Sequence, residues 1–284
     1  MEKPYPLIVD FLTTRFPRIS RQQWIDRING GLVFFENGKK ITTESLCSPL
    51  TILLYYRTAD KEISIPFKEK IIYMDDNILA VNKPHFLPVM PAGKYINENL
   101  LTRLKDKTGN NDIVPVNRID RETSGIVLFS LNKRTRGLYQ SLFMKAKVKK
   151  TYYAITESNI DYKGEALNNH LIESRIVAGD PWFTMKQEKG IINARTIINK
   201  ITEKNDRILF KIRPLTGKKH QIRIHLSSIR CKIINDRLYP RLLPEQSPDF
   251  KHPLLLQSKI LKFFDPVTGK NHEFVSPDQL RIFL

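Results

Sequence analysis

Apolar residues recur with two different periods along this chain. Near the start, Ile8, Phe11, Leu12 and Phe16 fall at i, i+3, i+4 and i+8, the spacing that lines one face of a helix. Pro17 ends that pattern and Ser20 offers an N-cap. Trp24 and Ile28 then stand one turn apart on a second predicted helix. Gly30-Gly31 reads as a helix stop, Leu32-Val33-Phe34-Phe35 as a strand, and Asn37-Gly38 as a hairpin turn. Residues 58–69 are polar and suit a linker. The pattern therefore predicts a small α/β module over 1–57, a linker over 58–69, and a larger domain over 70–284.

Beyond residue 70, strands outnumber helices. Helical spacing is confined to Asn97–Lys107, with Leu100, Leu101 and Leu104, and to Asn132–Lys147, with Leu138, Leu142, Phe143 and Ala146. Strands are expected at Ile78–Asn82, Gly125–Leu131, Tyr152–Thr156, Ala194–Ile201 and Leu209–Arg213, with Asn205-Asp206 turning the last pair into a hairpin. These strands do not alternate regularly with helices, so the expected class is α+β with a mixed, largely antiparallel sheet. The sequence contains no internal repeat and no low-complexity tract.

Composition narrows the function classes. A hydrophobic content of 41% is ample for a packed core, and no apolar run approaches the ~18 residues of a spanning helix. Met1-Glu2-Lys3-Pro4-Tyr5-Pro6 lacks the apolar stretch of a secretory signal. Cys47 and Cys231 are too far apart for a zinc-site spacing or a disulfide framework. The expected setting is a reducing cytoplasm, without a membrane, with the chain as a monomer. Forty-seven Lys and Arg against 29 Asp and Glu leave a net charge of +18. Such an excess is the electrostatic footprint of a polyanion partner, and nucleic acid is favoured because no basic amphipathic helix with an aromatic face is evident.

One run concentrates the chemistry. Asn117-Arg118-Ile119-Asp120-Arg121-Glu122-Thr123-Ser124-Gly125 sets Asp120 between two arginines and ends in a small polar turn, followed at once by the apolar Ile126-Val127-Leu128-Phe129. Asp120 thus falls in a tight connection entering a sheet, where a rigid scaffold can present a side chain to a cleft. Taken alone, these residues fit a loop salt bridge beside a turn.

The run resembles the His-Arg-Leu-Asp-x-x-Thr-Ser-Gly signature of the RluA-type pseudouridine synthases. Further blocks follow in the family's order over roughly residues 71 to 277. Ile78-Leu79-Ala80-Val81-Asn82-Lys83-Pro84 is similar to its strand and Asn-Lys-Pro segment, and Lys150-Thr151-Tyr152-Tyr153-Ala154 to its Lys-x-Tyr-x-Ala strand. Pro214 to Leu226, containing Gly217-Lys218-Lys219-His220-Gln221-Ile222-Arg223-Ile224-His225, is similar to its Gly-Arg-x-His-Gln-Ile-Arg-x-His block. Leu255-Leu256-Gln257 and Phe263-Phe264-Asp265-Pro266-Val267-Thr268-Gly269 echo its closing strands. The first module, in turn, is similar to a small RNA-binding domain first described in a ribosomal small-subunit protein.

The resemblance implies a pseudouridine synthase fold with a central RNA cleft and isomerisation of uridine to pseudouridine. Ribosomal RNA is the favoured target and transfer RNA the alternative. The reaction breaks the N1–C1′ bond, turns the base over and joins C5 to C1′. No atoms enter or leave and no redox change occurs, so no cofactor is expected. A positioned carboxylate can act at a developing oxocarbenium centre as nucleophile or base. By resemblance Asp120 is that carboxylate, Arg223 its guanidinium partner, and Tyr152 the ring that stacks on the extruded base. Tyr153 points to the opposite face of the strand, so one of the two rings should be buried. Arg118, Lys150, Lys218, Lys219, His220 and Gln221 are expected to bind substrate. In the first module Arg18, Arg21, Arg27, Lys39 and Lys40 are expected to contact phosphates.

Other chemistries fit less well. His220 and His225 are five apart, not at the i, i+4 spacing of a helical zinc pair, and no third ligand is evident, so no metal is expected. Asp120 and Glu122 are two apart in a turn, which seldom gives the facing geometry of paired glycosidase carboxylates. Arg223 read alone could be a helix-surface phosphate contact. The rival from another class is a catalytically silent RNA-binding or ribosome assembly factor, against which the retention of Asp120, Tyr152 and Arg223 together argues. A DNA-binding regulator lacks a recognition-helix motif here. Two departures from the family pattern stand out. Asn117 occupies the His place, and Arg230 to Tyr239 keeps Asp236 and Tyr239 while losing both glycines and the proline of its loop.

Overall fold

A computed structural model describes residues 5–17, 19–56, 62–157, 167–247 and 249–280. The chain divides into two compact units, Met1–Lys61 and Glu62–Leu284.

In the small unit, helices α1 (Ile8–Arg15) and α2 (Arg21–Asn29) are followed by strands β1 (Val33–Phe35) and β2 (Leu53–Tyr55). Ser20 accepts from the Gln23 backbone N–H while the Gln23 side chain accepts from Ser20 N–H, a reciprocal capping box that starts α2. Ile8, Val9, Leu12, Trp24, Ile28, Val33 and Ile41 form its core. The chain does turn at Asn37-Gly38, where Gly38 takes φ +80°. The predicted hairpin is reduced to a single bridge, Phe34 to Lys40, and β1 pairs along its length with β2 instead.

The larger unit carries β3 (Lys70–Met74), β4 (Ile78–Lys83), α3 (Leu100–Thr108), β5 (Val114–Pro115), β6 (Ser124–Ser130), α4 (Arg136–Met144), β7 (Lys149–Glu157), β8 (His170–Ala178), β9 (Met185–Glu188), β10 (Ala194–Lys204), β11 (Arg207–Pro214), α5 (Gln221–Ser228), β12 (Leu256–Phe264) and β13 (Asn271–Val275). These strands make one sheet in the order β3-β4-β6-β12-β7-β11-β10-β8-β9, with β13 on β12 and β5 on β6. Every pairing is antiparallel except β6 with β12. The fold is thus α+β with a mixed, mostly antiparallel sheet.

That single parallel junction matters for the site. Gly125 has φ +109° and lies against the Ser258 backbone, where an added Cβ would stand 2.1 Å from the Ser258 carbonyl oxygen. Only glycine combines that backbone angle with that approach. The glycine ending the Asp120 run therefore permits β6 to begin beside β12.

Strands β4 and β6 are buried at every position, because apolar layers cover both faces. Leu79, Val81, Val127 and Phe129 pack with Leu100 and Leu104 of α3. On the other face Ile78, Ala80, Ile126 and Leu128 pack with Tyr139 and Leu142 of α4. A third cluster joins Ala154, Ile198, Phe210 and Ile212 to Ile222 and Leu226, seating α5 on the β7–β11–β10 part of the sheet.

The expected linker needs correction. Residues 58–61 lie outside the described residues, and 62–69 belong to the larger unit. Glu62 accepts from the backbone N–H groups of Ile96, Asn97 and Glu98 at 2.7–3.1 Å. Ile65 is buried in the α3 core, and Arg103 donates to the carbonyls of Ile65 and Phe67. Polar composition concealed Ile63 and Ile65, which pack into the α3 core, while Phe67 stays largely at the surface against the rings of Phe86 and Phe250.

Candidate active site

Asp120 sits in the connection between β5 and β6, and that connection is pinned from behind. Lys83, at the end of β4, is fully buried and donates to the carbonyls of Pro84 at 2.8 Å, Leu87 at 2.7 Å and Arg121 at 2.9 Å. Burial pushes its pKa down to about 7, opposed by the nearby carboxylates of Glu122 and Asp120. The His85 ring donates from Nδ1 to the Glu122 carbonyl at 2.7 Å, and Thr123 N–H closes the turn onto Asp120 O at 3.1 Å. Asn117 Oδ1 accepts from Leu128 N–H at 2.8 Å, so asparagine in the family's histidine place ties the loop to β6. The backbone on both sides of Asp120 is thereby fixed while its carboxylate stays 23% exposed.

The partner comes from α5. His220, with φ +56°, precedes the helix, and Arg223 lies three residues on, so both side chains leave the same face. Arg223 is only 2% exposed, which removes the helix-surface alternative. Its Nη1 stands 3.4 Å from Asp120 Oδ2. Its other edge is held by Asp236, with Nε to Oδ2 at 2.9 Å and Nη2 to Oδ1 at 2.6 Å. Asp236 Oδ1 also accepts from the backbone N–H groups of Leu238 and Tyr239. Burial opposes the guanidinium charge, but the Asp236 hydrogen bonds and the charges of Asp236 and Asp120 outweigh it and raise the Arg223 pKa. Asp236 thus anchors Arg223 tightly, and Asp120 meets the remaining edge across a longer contact that leaves its oxygens available to a substrate.

His220 completes the rim. Its Nδ1 lies 2.7 Å from the Tyr239 hydroxyl, which already accepts from Met185 N–H at 2.8 Å. The His220 Nε2 faces Asp120 Oδ1 at 3.9 Å. Burial lowers the His220 pKa, with Asp120 opposing, so the neutral ring is favoured. Tyr152, on β7, packs against the α5 cluster. Its hydroxyl pKa is raised to about 12 by burial, with Ser258 as a hydrogen-bond neighbour and the Asp120 charge adding to the rise. Tyr152 and Tyr153 are both half-buried, where strand alternation alone predicted one fully buried ring.

The remaining expected residues divide. Arg118 is exposed beside Asp120 and touches Met90 Sδ at 3.8 Å. Lys218 and Lys219 are exposed just before α5. Lys150 is half-buried and donates to the Thr216 carbonyl at 3.1 Å. Gln221 is buried with its amide committed internally: Oε1 accepts from Thr216 Oγ1 and Lys218 N–H, while Nε2 donates to Arg195 O and Thr196 Oγ1. It braces the loop before α5 and presents nothing to a substrate, a correction to its expected role. In the small unit Arg21 pairs with Asp10 at 3.2 Å and Arg27 lies over the Trp24 ring at 5.2 Å. Lys39 and Lys40 are exposed, and Arg18 lies outside the described residues. Among the described residues no group of three His, Cys, Asp or Glu side chains could hold a metal, and no helix is long and apolar enough to cross a membrane.

The sequence model of the RNA pseudouridylate synthase family matches residues 77–228 of this chain. That segment runs from the start of β4 to the end of α5 and holds Lys83, Asp120, Tyr152 and Arg223. The chain belongs to this family. Membership makes it an RNA pseudouridine synthase, an isomerase. A Rickettsia bellii protein named ribosomal large subunit pseudouridine synthase C is 30% identical over 210 residues, 71% of this chain and 69% of that one. A Saccharomyces cerevisiae protein named mitochondrial tRNA pseudouridine(32) synthase is 31% identical over 172 residues, 60% of this chain but 37% of its own length. Among solved structures, human RNA pseudouridylate synthase domain containing 4 superposes with a TM-score of 0.57 at 25% identity, covering 75% of this chain and 89% of that one.

Asp236, Tyr239 and Lys83 were not assigned to the site from sequence. The signal for the first two was their survival in a loop that otherwise lost its family pattern. For Lys83 it was a charged residue closing an apolar strand.

Proposed function

We propose that Asp120 is the reacting carboxylate of uridine isomerisation in structured RNA, with Arg223 as its positioning partner and Tyr152 as the face on which the extruded base rests. The observation that carries this reading is the buried Arg223, gripped through two bonds by Asp236 and turned by its free edge towards a partly exposed Asp120. A purely structural ion pair would need only one of the two carboxylates. The second, left within reach of solvent on a pinned loop, is placed to act.

The reaction asks for little else. A detached uracil is anionic, and the buried Arg223 guanidinium supplies positive potential beside Asp120. The target base must leave its stack, at a cost of a few kcal/mol that is smallest for loop uridines. Tyr152 returns part of that cost through stacking. Ribosomal RNA is the favoured target, supported by the Rickettsia relative's name and by basic residues Arg21, Arg27, Lys39 and Lys40 in the small unit; transfer RNA is the alternative.

The test is Asp120→Asn, which keeps the shape and removes the charge. Pseudouridine formation, read by chemical mapping of large-subunit ribosomal RNA and transfer RNA transcripts, should vanish while RNA affinity changes little. Turnover by the purified Asn variant near that of the wild type would sink the assignment. A wild type that binds RNA and makes no pseudouridine in any transcript would favour the silent binder.

A further inference from the structure

The β8–β9 hairpin projects a large aromatic ring into solvent beside the candidate active site. Its tip is tightly closed. Gly179 N–H donates to Thr184 O at 3.1 Å, and Thr184 donates from both N–H and Oγ1 to Pro181 O at 2.8 and 2.7 Å. Trp182, at that tip, is 65% exposed, with Phe183 set edge-on to it at 5.9 Å and 89°. Lys219 Nζ lies 5.9 Å from the Trp182 ring centroid, and the next residue is His220. The base of the tip is tied to the same place, through Met185 N–H to the Tyr239 hydroxyl, and from there to His220 and Asp120. Three contacts connect the tip to the reacting carboxylate.

An aromatic side chain left largely in water forgoes the burial that usually favours it. Here it stands against a lysine, at the rim of a site in a chain of net charge +18. That is the chemistry of a base-stacking platform, with a ring for the base and a cation for the adjoining phosphate. Extruding a uridine also leaves its neighbour without a stacking partner, and a ring at the rim can replace the one lost. We infer that Trp182 and Lys219 form a subsite for the unpaired nucleotide flanking the target uridine, in which Trp182 stacks the base and Lys219 contacts the phosphate. The inference rests on the isomerase reading for the identity of the target but is tested by binding alone.

The experiment uses the full chain and a short oligouridylate as probe, with an abasic residue walked along it. Affinities are measured for the wild type, Trp182→Ala, Trp182→Phe and Lys219→Ala, each checked by circular dichroism. Trp182→Ala should weaken binding on the order of five- to hundredfold, the contribution of one stacked base, and Trp182→Phe should recover most of it. One abasic position should weaken wild-type binding by the same factor and leave Trp182→Ala unaffected. Lys219→Ala should reduce the salt dependence of binding. Trp182→Ala binding like the wild type, or an abasic loss that adds to the Trp182→Ala loss at every position, would overturn the subsite. A wild type that completes this cycle but forms no pseudouridine in large-subunit ribosomal RNA or transfer RNA transcripts keeps the subsite and overturns the isomerase reading beneath it.

Discussion

Asp236 offers the sharpest test of how this site is held. Asp236→Asn keeps the shape and the acceptor that serves the Leu238 and Tyr239 N–H groups, but removes the charge facing Arg223 Nε and Nη2 at 2.9 and 2.6 Å. Arg223 is 2% exposed, so its charge would then be met at close range by Asp120 at 3.4 Å, with Glu122 adding a longer-range attraction. Removing one partner of a buried ion pair costs about 3–5 kcal/mol, and the surviving Asp120 contact places the expectation near the lower end. For a unit of this size, about 3 kcal/mol lowers Tm by roughly 6–12 °C. Turnover should fall at least tenfold, because Arg223 would be drawn towards Asp120 and tie up the carboxylate. The assay is thermal unfolding by circular dichroism alongside single-turnover pseudouridine formation. A companion double variant, Arg223→Met with Asp236→Asn, removes both charges, keeps the acceptor for the Leu238 and Tyr239 N–H groups, and should regain most of the lost Tm without regaining activity. The reasoning fails if Asp236→Asn melts and turns over like the wild type, or if the double variant is no more stable than the single one.

Three further outcomes are expected. Gly125→Ala would drive a Cβ to 2.1 Å from Ser258 O at φ +109°, destabilising by about 3 kcal/mol or more; an unchanged denaturation midpoint would show that the β6–β12 junction can shift freely. Burial depresses the pKa of His225 to about 4, where its ring nitrogens meet Thr196 and Ser174 hydroxyls. The unfolded chain then takes up this proton first, so stability present above about pH 6.5 is lost as pH falls towards 4; His225→Gln should flatten that acid slope, and an unaltered slope would refute the assignment. Removing residues 1–61 leaves the Glu62 and Ile65 anchors in place and takes away Arg21, Arg27, Lys39 and Lys40. Binding to a large-subunit ribosomal RNA transcript should weaken, with its log–log salt slope reduced by about 0.7–0.9 per lost phosphate contact, and an identical slope would remove the small unit from the RNA-binding surface.

What the amino-acid sequence determined by itself is the part of this protein built from near neighbours. The Ser20–Gln23 capping box, the apolar face of α1, the doubly buried runs of β4 and β6, and the Asn205-Asp206 turn, whose φ values are +50° and +55°, all depend on residues within a few positions of one another. The order of the motifs belongs here too, and with it the α+β class and the candidate roles of Asp120, Tyr152 and Arg223. The tertiary structure decided which distant side chains meet. Asp120 and Arg223 are 103 residues apart and meet only because β6 enters the sheet beside β12 while α5 packs over β10 and β11. The same packing turned Gln221 inward to brace a loop, buried Lys83 beneath the Asp120 turn, and drew 62–69 onto the α3 core. Each of these is a hydrogen-bond or burial requirement met by a partner far along the chain. Local periodicity carries no information about such a partner, because it depends on strand order and helix placement.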